Sequence, residues 1–216
     1  TPELAQVLYG LWRFYAVRLQ LHTARELGET LLRLAQRAHD PMLAVLAHNA
    51  LGVTWLYLGA LPAARQHLEE GIARYTPDQR RAPAFRMGPD LGVACRVHAA
   101  GALWLLGYPA QALARVHDAL ALAHELSHPF SLAYARGWAA WVSQLRRAMP
   151  AVHEQAEAAV ALSTEQGFPV LVAQAMMMQG RLMAEHGRMN EGIAKLRQGL
   201  AAYRAKHMDH QILAQK

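Results

Sequence analysis

The sequence predicts an all-α solenoid of about five antiparallel helix pairs. Three observations predict it. The chain repeats itself at an offset of 40 residues, apolar residues within each copy recur at intervals of three and four, and no segment alternates apolar and polar residues by twos as a strand would. Without a gap, HAAGALWLLGYPAQALARVHDALALAHELSHP (98–129) lies over WAAWVSQLRRAMPAVHEQAEAAVALSTEQGFP (138–169). MQGRLMAEHGRMNEGIAKLRQGLAAYRAKHMD (178–209) enters the same frame.

The elements follow from this frame. Pro41, Pro89, Pro129 and Pro169 stand at equivalent places, each followed 18 residues later by Gly59, Gly107, Arg147 or Gly187. Proline suits the first turn of a helix, where its missing N–H costs nothing. Glycine takes the left-handed conformation that stops a helix. The first helix of a pair therefore runs from proline to glycine, as over residues 130–146. The second begins after a short turn marked by Pro62, Pro109, Pro150 or Asn190, and its apolar spacing is helical, as in Leu113, Val116, Leu120 and Ala123. Counting back 40 residues from Gly59 reaches Leu19, so residues 1–40 form a weaker first copy, in which Thr23-Ala-Arg-Glu26 reads as a capping box. The expected units are 1–40, 41–88, 89–128, 129–168 and 169–208 of one domain, with an eight-residue insertion near 76–86 and the start of a further helix over 209–216.

Two antiparallel helices cannot bury both apolar stripes alone, and stacking of neighbours completes the core. Small residues recur where helices must approach: Gly52, Ala100, Ala140 and Gly180 in one column, Ala24, Ala64, Ala112, Val152 and Gly192 in another. Trp12 breaks the first column at the end repeat. The apolar start, ELAQVLYGLWRFYAV, calls for further protein to cover it, and an initial Thr fits a fragment of a longer chain.

Helix pairs with a small residue in the first helix, a Gly at its end and an Ala opening the second resemble tetratricopeptide repeats, best in LGVTWLYLGALPAARQHLEEGIARY (51–75). The departures are a unit of 40 rather than ~34 residues and Arg147 in place of a glycine. ALWLLGYPAQAL, AHELSHPFSLAYA and LLRLAQRAHDP are similar to the helical-repeat tails of large bacterial signalling ATPases, which often carry nucleotidyl cyclase or kinase modules. The resemblance implies a right-handed superhelix and a regulatory, non-catalytic segment.

Composition narrows the function. The 216 residues are 53% hydrophobic and 18% charged, too apolar for a disordered chain. A single cysteine, Cys95, excludes an internal disulfide framework and fits a reducing, cytoplasmic compartment. No signal peptide is apparent, and the window 45–64, with His48, Asn49 and Pro62, fails as a membrane span. The net charge of +6 comes almost wholly from scattered arginines rather than a basic run, which argues against nucleic acid. Neither a Walker lysine motif nor G-x-G-x-x-G occurs, so no cofactor is expected.

His124-Glu-Leu-Ser-His128 formally matches the zinc-protease motif H-E-x-x-H, in which residues i and i+4 of one helix hold the metal. Pro129 follows at once, and the repeat places His128 in a turn. A structural role is therefore expected for His124 and His128, with a zinc-dependent hydrolase as the remote alternative. His207, Asp209 and His210 form a second weak metal candidate. Cys95 shares a column with Ala47, Ala135 and Ala175, so it reads as a small core residue, and the Met176–Met178 run reads as partly core.

In tetratricopeptide-like stacks the first helices line the concave face. Its columns would hold Tyr9, Asn49, Val97, Gly137 and Met177, then Arg13, Val53, Gly101, Trp141 and Arg181, then Ala16, Leu56, Trp104, Gln144 and Ala184. Tyr9, Arg13, Asn49, Trp104, Trp141, Gln144 and Arg181 are the expected binding residues. Aromatic anchors beside polar and cationic groups suit a protein or peptide segment, other domains of the parent chain included, or a small polar ligand. The alternative is that both tryptophans only pack against neighbouring helices.

Overall fold

The computed structural model describes residues 2–76 and 88–213, and among these every regular element is an α-helix. In chain order they are α1 (Pro2–Val17), α2 (Leu21–Ala38), α3 (Pro41–Tyr57), α4 (Leu61–Arg74), α5 (Leu91–Leu105), α6 (Pro109–Glu125), α7 (Pro129–Leu145), α8 (Met149–Glu165), α9 (Pro169–Glu185) and α10 (Met189–Leu213). The helices form a solenoid of pairs that divides into two compact units, Thr1–Leu126 with α1 to α6 and Ser127–Lys216 with α7 to α10.

The turns explain the period. Within each pair the chain reverses through one left-handed residue: Leu19 (φ 57°), Gly59 (79°), Gly107 (85°), Arg147 (57°) and Gly187 (81°). Arg147, where the sequence lacks the expected glycine, adopts the glycine's conformation all the same, at a cost of ~1 kcal/mol or more to its backbone. A second left-handed column, His39, Ser127 and Gly167, joins one pair to the next.

Proline stands in the first turn of α3, α4, α6, α7, α8 and α9. Asp40 caps α3, its carboxylate accepting from the Met42 and Leu43 amides at 2.9 and 3.0 Å. Asp90 caps α5 by accepting from the Val93 amide. The capping box at Thr23 does not form. Helix α2 begins two residues earlier, at Leu21, and its flanking Gln20 makes no side-chain cap. Nor does a new helix start at 209, because α10 continues to Leu213. The expected eight-residue insertion lies outside the described residues apart from its edge. On either side of it Tyr75, which closes α4, donates its hydroxyl to Asp90 at 2.8 Å.

Small residues set the helix spacing. A Cβ on Gly180 would lie 2.7 Å from the Gly192 carbonyl oxygen, so α9 and α10 meet backbone to backbone. In α3 a Cβ on Gly52 would strike Leu68 of α4, and one on Gly71 of α4 would strike Cys95 of α5. Cys95 is fully buried, and burial pushes its thiol up to about 12. Trp12, in the Gly52 column, is also buried and fills its space with an indole. Each fully buried Leu or Val in this core contributes roughly 1.5–3 kcal/mol. Among the described residues no helix is long and apolar enough to cross a membrane.

Candidate functional site

The residues expected on the first-helix face fall into two groups, one in each unit. In the first unit, Tyr9 of α1 stacks on Trp12 with ring centroids 4.9 Å apart and donates its hydroxyl to Asn49 of α3 at 3.3 Å. The Asn49 amide reaches the Cys95 sulfur of α5 at 3.6 Å. Trp12 donates its indole N–H to Thr54 at 2.9 Å, and Thr54 in turn bonds the Ala50 carbonyl. Asn49 is only 2% exposed, and burial raises the Tyr9 phenol well above its ordinary range. A buried amide stripped of partners costs ~1–3 kcal/mol, so this network works as a structural tie between α1, α3 and α5. Val97, next in the column, is buried too. Arg13 is exposed, its guanidinium lying over Gly88, and Trp104 is half-buried on α5.

In the second unit the same columns look different. Trp141 of α7 is half-buried and packs edge-on to Trp138 at 5.4 Å, which packs edge-on to Tyr134 at 6.5 Å. Gln144, 5% exposed, donates to Glu185 of α9 at 2.9 Å, and Arg181 donates to the same carboxylate oxygen at 3.3 Å. Three expected residues, Trp141, Gln144 and Arg181, thus lie on α7 and α9 within one unit, with Glu185 as the polar hub that sequence reasoning missed. Its signal was available: Glu185 sits one helical turn after Arg181. Between Tyr134 and Trp141, Gly137 occupies the Tyr9–Asn49–Val97 column. A Cβ there would meet nothing within 4 Å. Glycine in mid-helix costs roughly 0.5–1 kcal/mol relative to alanine, and here no close packing requires it.

The histidines follow burial rather than metal chemistry. Helix α6 ends at Glu125 and Ser127 turns left-handed, so His124 and His128 do not share a helix face. His128 stands just before α7 and caps no backbone amide with its side chain; its Nδ1 lies 2.7 Å from the Ser131 hydroxyl instead. His207 and His210 lie outside the residues whose side chains are described. Among the described residues no three His, Cys, Asp or Glu side chains converge as a metal site. His48 and His67 pair across α3 and α4 with their Nδ1 atoms 3.1 Å apart, one ring donating to the other. Burial and the neighbouring His67 push His48 down to about 4. Burial also lowers His98 to about 4, against the pull of its bond to the Ala94 carbonyl.

Two open hollows lie in the first unit. One of about 550 Å³ is lined by Arg65, Gln66, Glu69 and Glu70 of α4, and one of about 290 Å³ by Arg96, Arg115, Asp118 and Glu125. In the latter Arg115 is held bidentately by Glu69 at 2.7 and 3.1 Å.

No protein-family model matches this sequence, and no curated protein does. Solved structures match over the whole chain. A Rap protein crystallised in complex with competence and sporulation factor has a TM-score of 0.77 at 14% identity, covering 100% of this chain and 58% of its own. The fold is a TPR-like helical-repeat solenoid. The apo form of RapI gives 0.62 at 12% identity over 96% of this chain and 58% of that one. TPR-like repeats of a kinesin light chain candidate from Podosopora anserina give 0.61 at 17% identity over 95% and 97%. The chain spans just over half the length of the two Rap structures.

Proposed function

We propose that this chain is a non-catalytic helical-repeat scaffold that binds a protein or peptide segment on the first-helix face of its second unit. The observation that carries the reading is Gly137, an unfilled position on α7 beside the half-buried Trp141. An apolar side chain from a partner would settle against the α7 backbone there, with Trp141 as the aromatic anchor. Gln144, Arg181 and Glu185 would supply hydrogen bonds at its edge. Interface energy concentrates in such aromatic and arginine anchors. The likeness to a Rap protein complexed with competence and sporulation factor supports the same class of function, through fold alone.

The finer reading places the chain in the cytoplasm, as a regulatory part of a larger bacterial signalling ATPase or cyclase. It rests on the similarity of ALWLLGYPAQAL and AHELSHPFSLAYA to such tails. In the first unit Tyr9 and Asn49 serve the scaffold, while Arg13 and Trp104 remain candidates for partner contact.

The test selects peptides on the intact chain from a displayed random library and measures their affinity for variants. Trp141→Ala is expected to weaken binding more than tenfold while helicity stays intact. A folded Trp141→Ala that binds every selected peptide normally would contradict the reading.

A further inference from the structure

The histidines that a local motif marks come apart in the structure, and burial brings another pair together. Within each helix pair, one position of the first helix faces the position 19 residues on in the second. In α7 and α8 these are Arg136 and Gln155, hydrogen bonded at 3.1 Å, and in α1 and α2 they are Leu8 and Leu27, packed in one apolar cluster. Arg96 and Arg115 hold the place in α5 and α6, and Met176 and Lys195 in α9 and α10. In α3 and α4 it holds His48 and His67, with Nδ1 atoms 3.1 Å and ring centroids 5.2 Å apart. The repeat folds with leucine, arginine or methionine at this place, so two facing imidazoles are not a requirement of the fold.

Their spacing is that of two ligands on one metal ion. With metal–nitrogen bonds of ~2.0–2.1 Å, neighbouring ligand atoms lie ~2.9–3.3 Å from each other in right-angled to tetrahedral geometry. Burial lowers both rings, His48 to about 4, which keeps them in the neutral form that a metal needs. Their mutual hydrogen bond holds one proton on an Nδ1. Moving that proton to Nε2 frees both Nδ1 lone pairs with little motion of either ring. A carboxylate is placed to join them. Glu69 of α4 reaches Arg115 of α6, and the repeat equivalents of these two residues are Glu29 of α2 and His67. Glu29 is loosely engaged, its carboxylate 3.4 Å from the Arg25 Nε, a buried atom without a hydrogen bond. His67 is only half-buried, which gives an ion and a water access. We propose that His48 and His67 bind a divalent transition metal of the zinc class, with Glu29 turning in as a third ligand and water as the fourth. Bound there, the ion ties α2, α3 and α4 together.

Calorimetric titration of the intact chain with zinc chloride, at about pH 7 in a non-coordinating buffer, tests this. One zinc per chain is expected to bind more tightly than the rest. His67→Gln should weaken that site by about tenfold or more, Glu29→Gln by a smaller factor, and His124→Gln not at all. A measurement on the wild type alone covers the case in which His67→Gln does not fold. In nitrogen-15 spectra of the imidazoles, saturating zinc should leave both His48 and His67 protonated at Nε2 and bare at Nδ1. A wild type that binds no zinc more tightly than about 1 mM would overturn the proposal. So would a folded His67→Gln that keeps the tight zinc, or ring tautomers that zinc does not alter. Unchanged affinity in Glu29→Gln would remove the carboxylate from the site.

Discussion

One column of first-helix positions is put to opposite uses in the two units. In the first it holds Tyr9, Asn49 and Val97, with Asn49 linked to both Tyr9 and Cys95 and sealed from water. In the second, at Gly137, the position is open, with the half-buried Trp141 on the same helix and, across α7 and α9, the buried Gln144 and exposed Arg181 sharing the Glu185 carboxylate. A repeat fixes where a position points but not what meets it. The same geometry becomes a tie when neighbouring helices supply partners, and a surface when they do not.

The comparison predicts where the chain is fragile. The largest effect is acid lability of the first unit. His98 is held near 4 against an ordinary 6.5, so below pH 6.5 the unfolded chain takes up a proton that the folded chain refuses. Stability is therefore full above 6.5 and falls as the pH drops toward 4. His98 alone accounts for roughly 3 kcal/mol of that loss, and the His48–His67 pair adds to it in the same direction. Urea unfolding at several pH values, followed by exchange in α3 and α5, checks this. Next in size, Asn49→Ala should cost about 2–3 kcal/mol, since it opens a cavity and strips the Tyr9 hydroxyl of its acceptor. Trp12→Phe keeps the stacking on Tyr9 but removes the bond to Thr54, for a loss of about 1 kcal/mol. The smallest effect has the opposite sign. Gly137→Ala should raise stability by ~0.5–1 kcal/mol, because the added methyl meets open space in mid-helix. A loss there would mean that the position is packed, and the contrast between the units would fail.

Much of the fold was legible because the period was. Leu19 and Arg147 carry no glycine, yet the 40-residue offset placed both at turns, and both are left-handed. The start of α2 was misplaced because Thr23 and Glu26 satisfy a local pattern two residues inside a helix that Gln20 already precedes. For the candidate site, the sequence reports which helix carries each residue and not what that residue touches. Tyr9 and Asn49 stand in a column that the repeat pattern assigns to a groove, and their hydrogen-bond partners come from other helices, 40 and 46 residues away. No local spacing reports such a partner. The cluster of Gln144, Arg181 and Glu185 was half-read for the same reason: the sequence shows Glu185 beside Arg181 on α9, but not that Gln144 reaches it from α7.

The most direct measurement is amide hydrogen exchange on the intact chain, with and without a peptide selected from a displayed random library. If the second unit carries recognition and the first carries structure, added protection will concentrate in α7 and α9, around Gly137, Trp141 and Arg181. The α1, α3 and α5 amides should be slow to exchange already and little changed. Protection gained chiefly in α1, α3 or α5, with α7 and α9 unaltered, would contradict the account.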